Sequence, residues 1–159
     1  MRYYVILLQD IPKYMPEKGE DNDMQIIKCT LQEVPRLAEM NKCLIEDERS
    51  SNPMNPEQLK GRMRMFLETE YDAYLFVEDD ATVGYALVRR TASPLFLRQF
   101  YIVREFRRHH YGQQAFRALL DHLQTDTIDI EVLPWNEAGL KFWRSLGFTE
   151  TCIAMRYSK

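Results

Sequence analysis

From Met24 onward the apolar positions fall into short, regularly punctuated runs. Gln25–Cys29 carries a brief extended pattern. Val34, Leu37, Ala38, Asn41, Leu44 and Ile45 follow helical spacing, with Pro35 in the first turn, where its missing N–H is tolerated. Asn55-Pro56 offers an N-cap and a first helical position. It predicts a second helix with Leu59, Met63, Phe66 and Leu67 on its inner face. Tyr74–Glu78 and Thr82–Arg90 read as a hairpin turning at Asp79-Asp80, and Phe96–Val103 as a further strand. Helical spacing returns over Gln113–Leu123 through Phe116, Leu119, Leu120 and Leu123. Ile128–Leu133 alternates as a strand. Asn136–Leu146 predicts a helix closed by Gly147, and Phe148–Arg156 a last strand. The order is β-α-α-β-β-β-α-β-α-β. It predicts an α/β (α+β) fold, a mixed central sheet with helices on both faces, rather than a doubly wound repeat or a sandwich.

Residues 1–23 stand apart. Tyr3–Leu8 is apolar but short, and 10–23 is rich in Pro, Gly and charge. The segment reads as an N-terminal arm or linker ahead of a domain at 24–159. Tyr3–Leu8 lacks the basic leader and small-residue site of a signal peptide, and no apolar run reaches the roughly 18–20 residues of a membrane span. Cys29, Cys43 and Cys152 are odd in number and widely spaced. They predict buried reduced thiols in a cytoplasmic protein, with no disulfide framework and no metal site. Net charge is −3 over 159 residues but uneven, −7 for residues 1–80 and +4 for 81–159. A basic half holding an anion and an acidic half drawing a cation would fit this split; so would ordinary solvated surface.

The basic half concentrates its chemistry at Arg107-Arg108-His109-His110-Tyr111-Gly112. An apolar strand runs into this cluster, and an amphipathic helix leaves it. Free backbone amides at a helix start, the helix dipole and nearby guanidinium groups together favour a phosphate or pyrophosphate. Gly112 would supply positive φ and close approach there, and Gln113 a free amide. A solvated basic turn is the alternative. Nucleic acid as the anion is disfavoured, because the chain is acidic overall and its aromatics do not interleave with its cations.

Order and spacing bring a resemblance. Val103-x-x-x-Phe106-Arg107-x-x-x-x-Gly112, followed by Asn136-x-x-x-x-x-x-Trp143-x-x-x-Gly147-Phe148, resembles the GCN5-related N-acetyltransferase (GNAT) superfamily over about Met24 to Lys159. The family's loop reads Gln/Arg-x-x-Gly-x-Gly/Ala; His110 stands here at its first glycine. The resemblance implies a mostly antiparallel sheet, splayed at the site, and acetyl-CoA as cofactor. Its pyrophosphate would rest on the amides of His109 to Gln113, near Arg107, Arg108 and Tyr111. Its pantetheine arm would pair with backbone at Tyr101, Ile102 and Val103. Asn136 would contact the cofactor or hold its turn, and the amide of Ile102 or Val103 would stabilise the oxyanion.

Direct acetyl transfer to an amine needs a base. Glu131 occupies the place where some family members carry a catalytic Glu; a charge facing solvent or an Arg is the alternative. Many members have Tyr where this chain has Trp143, whose indole could pack against the thioester or be a core aromatic. In the family the loop between the first two helices lines the acceptor side. Here Glu46, Asp47 and Glu48 would draw an amine there, or simply form a solvated helix end. Cys43 and Cys152 lack an adjacent His, which disfavours a covalent cysteine intermediate. The expected function is acetyl-CoA-dependent N-acetylation of a primary amine on a small molecule or peptide, with no nucleic-acid or membrane partner and a homodimer left open. The rival is a non-catalytic acyl-CoA-binding module.

Overall fold

The computed structural model describes residues 24–159; the proposed arm at 1–23 lies outside the described residues. Five strands form one sheet in chain order. They are β1 (Gln25–Lys28), β2 (Tyr71–Glu78), β3 (Ala81–Arg89), β4 (Leu95–Ile102) and β5 (Ile128–Ile130). The β1–β2, β2–β3 and β3–β4 pairs are antiparallel, and β4–β5 is parallel. Helices α1 (Val34–Asp47) and α2 (Pro56–Glu68) cover one face, and α3 (Tyr111–Leu123) and α4 (Glu137–Ser145) the other. The fold class read from the sequence is the one observed.

Local chemistry explains most boundaries. Pro35 lies in the first turn of α1. Asn55 caps α2 in a reciprocal box: its Oδ1 accepts from Gln58 N, and Gln58 Oε1 accepts from Asn55 N, both at 2.9 Å. The β2–β3 turn places Asp79 and Asp80 at φ 48° and 61°, the left-handed pair that suits a tight hairpin. Gln124 ends α3 in the same region.

Each sheet face has its own core. Toward α3 and α4, Phe76, Leu97 and Phe100 meet Phe116, Leu119, Phe142 and Trp143. Toward α1 and α2, Leu75, Tyr85, Leu87 and Tyr101 meet Leu37, Leu44, Met63 and Phe66. Gly84 lets β3 and β4 approach closely, since a Cβ there would lie 2.1 Å from the Tyr101 carbonyl oxygen.

Three expectations are corrected. β5 stops at Ile130 rather than Leu133, because its partner β4 pairs only over Leu95–Leu97. The strand expected over Phe148–Arg156 does not form. Its alternation is genuine, but no strand of the described residues lies beside it, so its backbone has no ladder to join. Ile153, Met155 and Tyr157 stand 87%, 92% and 87% exposed. The cysteines are not uniformly buried either: Cys29 is, Cys43 is half-buried and Cys152 is exposed. Burial pushes the Cys29 thiol up to about 12, so it carries no thiolate near neutral pH. No helix among the described residues is long and apolar enough to cross a membrane.

Candidate functional site

The sheet opens where β5 ends. From Arg98 to Ile102 the outer edge of β4 has no described strand beside it. What faces that opening follows from the ladder. Val103 N donates to Val83 O at 2.9 Å, and Ile102 is the register partner of Gly84. Bonded and non-bonded pairs alternate in an antiparallel ladder, so Ile102 turns its N–H and C=O away from β3, into the opening. The Ile102 carbonyl accepts from Arg107 Nε at 2.8 Å. Its N–H is the donor left for an incoming group. Of the two amides that the resemblance implied, Val103 has spent its N–H on Val83, and Ile102 has not.

The basic turn lies next along the chain. A short 3-10 helix, Arg104–Phe106, carries the chain off β4. Arg108 and His110 take φ 66° and 63°. Gly112 does not take positive φ, contrary to the expectation; it is a buried residue inside α3, which begins at Tyr111 rather than Gln113. His110 therefore takes the left-handed conformation where the family pattern has glycine, and its carbonyl accepts the first helical bonds from Gln113 at 3.0 Å and Gln114 at 3.1 Å. The amides of Tyr111 and Gly112 precede those bonds and are the free donors of a helix start. Arg108 and His109 are exposed, the Tyr111 ring packs edge-on to Phe106, and Gln113 is buried at the first turn. His110→Val should lower stability by about 1–2 kcal/mol, since a β-branched residue resists φ 63°. It should also weaken anion binding at the turn; a melting curve beside a pyrophosphate titration checks both.

Arg107 does not reach outward over the turn. Its guanidinium lies 5.2 Å from the Tyr101 ring centroid and donates to Asp47 Oδ2 at 2.5 Å. Arg104 donates to Asp47 Oδ1 at 2.6 Å through Nη2 and at 3.0 Å through Nε. Burial pushes the Asp47 carboxyl up, but the two arginine bonds outweigh it and hold the group below its ordinary value. Asp47 thus ties the end of α1 to the basic turn. Glu46 is half-exposed, 3.5 Å from Arg104. Glu48 differs from both: it is 5% exposed, and its Oε1 is buried with no hydrogen-bond partner. Burial first, then the Asp47 carboxylate, push its carboxyl up to about 8.

Beneath Glu48 lies a polar cluster that sequence reasoning missed. Tyr85 Oη donates to Gln99 Oε1 at 2.9 Å, Arg62 Nη2 donates to Asn41 Oδ1, and all four residues are buried. Burial pushes the phenols of Tyr85 and Tyr101 up, the latter to about 12, so both stay protonated near neutral pH. Arg62 on the Leu59–Met63–Phe66 face of α2 and Asn41 on the inner face of α1 were the signals available, polar groups at core positions.

Glu131 lies just beyond β5, exposed, in a cleft of about 370 Å³ with Tyr71, Arg89, Phe96, Arg98 and Asp129. This cleft is at the start of β4, whereas Ile102 is at its end. Ile102 is four positions beyond Arg98, roughly 13 Å of strand. The structure does not bring Glu131 together with the basic turn. Asn136 caps α4, its Oδ1 accepting from Gly139 N at 2.9 Å. Trp143 is 2% exposed in the aromatic core, edge-on to Phe100 and Phe116 at 5.4 Å each. Its indole N–H is buried without a partner. Among the described residues no group of His, Cys, Asp or Glu is placed to hold a metal ion.

This geometry has relatives. A possible acetyltransferase from Clostridium difficile 630 superposes with TM-score 0.71 at 15% identity, over 86% of this chain and 97% of that one. A "predicted acetyltransferase with acetyl-CoA" from Clostridium acetobutylicum gives TM-score 0.64 at 13% identity, over 85% and 96%. AAC(6')-Iy, in complex with the bisubstrate analog CoA-S-monomethyl-acetylneamine, gives 0.66 at 17%, over 86% and 97%. At these identities the likeness is one of fold. No curated protein matches the sequence. The acetyltransferase (GNAT) family model matches residues 37–148, which include most of α1, the opening beside β4, the basic turn and α4. The chain therefore belongs to the acetyltransferase (GNAT) family.

Proposed function

We propose that the protein is an acetyl-CoA-dependent N-acetyltransferase that passes the acetyl group directly to a primary amine of a small molecule or peptide. One observation carries this reading: the Ile102 amide faces an opening in the sheet one short turn from the free amides of a helix start. A ligand with a diphosphate at one end and a carbonyl at the other would fit both. The free amides of Tyr111 and Gly112, with Arg108 beside them, would hold the diphosphate. Gly112 adds no side chain beside those amides. The β4 edge would bind an extended arm by backbone hydrogen bonds, and the Ile102 N–H would stabilise negative charge on a carbonyl oxygen. Acetyl-CoA supplies the activated acetyl group as a thioester.

The acceptor would approach from the α1–α2 side. Glu131 suits acceptor binding better than proton transfer, because its cleft is displaced along β4 from Ile102. Trp143 contributes through packing that holds α4 against Phe100. AAC(6')-Iy and the metagenomic enzyme crystallised with sisomicin are aminoglycoside acetyltransferases, which gives polyamino sugars a place in an acceptor screen. The test is thiol release from acetyl-CoA across a panel of amines, beside calorimetric binding of coenzyme A. Binding with amine-dependent release supports the enzyme. Tight binding without release for any amine supports the non-catalytic module, and absence of binding rejects both.

A further inference from the structure

Glu48 is an expensive residue to keep where it is. Its side chain is buried at the C-terminal end of α1, where the helix dipole disfavours negative charge. Asp47 beside it adds a second negative charge. Arg104 and Arg107 bond to Asp47, and Arg62 of α2 bonds to Asn41. From β3 it faces Tyr85, whose proton is given to Gln99, and Tyr101 of β4 lies beyond. Oε1 is left without a donor. A buried acceptor with no partner calls for an explanation, and a missing cation is the simplest one here.

Its place in the fold says which cation. Glu48 belongs to the sheet face that carries Tyr85 and Tyr101, register partners at the end of β4. The residue after Tyr101 is Ile102, whose N–H faces the opening. Glu131, by contrast, follows Ile130, the register partner of Leu97, and so lies level with Arg98, four positions short of Ile102.

We propose that Glu48, not Glu131, is the carboxylate that receives the acceptor ammonium and takes its proton. This rests on the acetyltransferase reading above. The ammonium gives one proton to Glu48 Oε1 and becomes a nucleophilic amine. As its nitrogen bonds to the acetyl carbon and the carbon–sulfur bond breaks, the nitrogen loses a second proton to the departing thiolate. Glu48 returns its proton to solvent. The dipole, burial and Asp47 together make this carboxyl a stronger base than an ordinary glutamate, suited to an ammonium proton.

The test has parts with and without turnover. In unliganded protein labelled at glutamate side-chain carbons, one carboxyl resonance should titrate near pH 8 and be missing from E48Q. Glutamates that all titrate in the ordinary range overturn the inference. The sign of the stability effect is fixed as well. A carboxyl held higher in the fold than its ordinary 4.5 destabilises the fold progressively as pH rises from there to about 8. The urea midpoint of E48Q relative to wild type should therefore climb over that window, which also shows that the variant folds. A flat difference counts against the proposal. In turnover, E48Q should lose about 100-fold or more in kcat while keeping coenzyme A affinity. E131Q should raise KM for the amine and leave kcat nearly unchanged. Wild type that releases thiol, with E48Q equally active, overturns this inference alone. Wild type that releases none with any amine overturns it together with the enzyme reading.

Discussion

G84A is expected to yield protein that is unfolded or grossly weakened, although one methyl group is all it adds. The added Cβ would lie 2.1 Å from the Tyr101 carbonyl oxygen and 3.1 Å from Ile102 Cα. Both are backbone atoms in the last pairs of the β3–β4 ladder, so no side chain can swing aside. Ordinary overpacking costs ~1–3 kcal/mol. Here β3 and β4 must separate at Gly84–Ile102, and the penalty should exceed that range against a total stability of ~5–15 kcal/mol. Any folded fraction should bind coenzyme A poorly, because the displaced residue is Ile102 itself. Urea denaturation with coenzyme A calorimetry reads both effects. A G84A protein with wild-type midpoint and affinity would mean that the strands are not in this close register.

The second large effect belongs to Asp47. Removing one member of a buried ion pair costs ~3–5 kcal/mol. Side chains of Asp47 and Arg107 are 14% and 15% exposed, but Arg104 is half in solvent and contributes less. D47N should therefore lose about 2–3 kcal/mol in urea. It should also weaken coenzyme A binding, since Arg104 and Arg107 then hold the basic turn without their common anchor. The pH dependence has a definite sign. Asp47 titrates lower in the fold than its ordinary 3.8, so its stabilisation is complete above that value and is lost as pH falls through the depressed one. The gap between wild type and D47N should be constant from neutral pH to about 5 and close only in strong acid. A gap that closes already near neutrality would point to another group.

Most of the architecture was legible because it rests on local rules. Spacing of Leu37 and Leu44, the Asn55-Pro56 cap and the Asp79-Asp80 turn each fix an element without reference to the rest of the chain. What misled was pairing, which alternation alone does not encode. Phe148–Arg156 has the pattern of a strand, yet β5 offers three residues of pairing and no strand of the described residues lies beyond it. The site divides the same way. The basic turn could be read from order and spacing and the opening beside β4 from the family resemblance, but the positive φ expected of Gly112 falls to His110 instead. The separate fates of Glu46, Asp47 and Glu48 could not. Three consecutive carboxylates at a helix end differ only in rotation, and that rotation depends on where Arg104, Arg107 and Tyr85 stand in space. Likewise Arg62 betrayed a buried polar cluster only in part, because Asn41 and Gln99 come from distant segments.

The bond between Asp47 and the basic turn also bears on how such a chain can diverge. If the proposed function holds, new acceptors would be won by mutation at the end of α1, yet Asp47 there is bonded to the two arginines of the basic turn. Glu46 makes only one longer ion pair, with Arg104, whereas a change at Asp47 loosens both Arg104 and Arg107 at once. Lineages exploring new amines would be expected to vary around this aspartate and to lose it only together with Arg104 and Arg107.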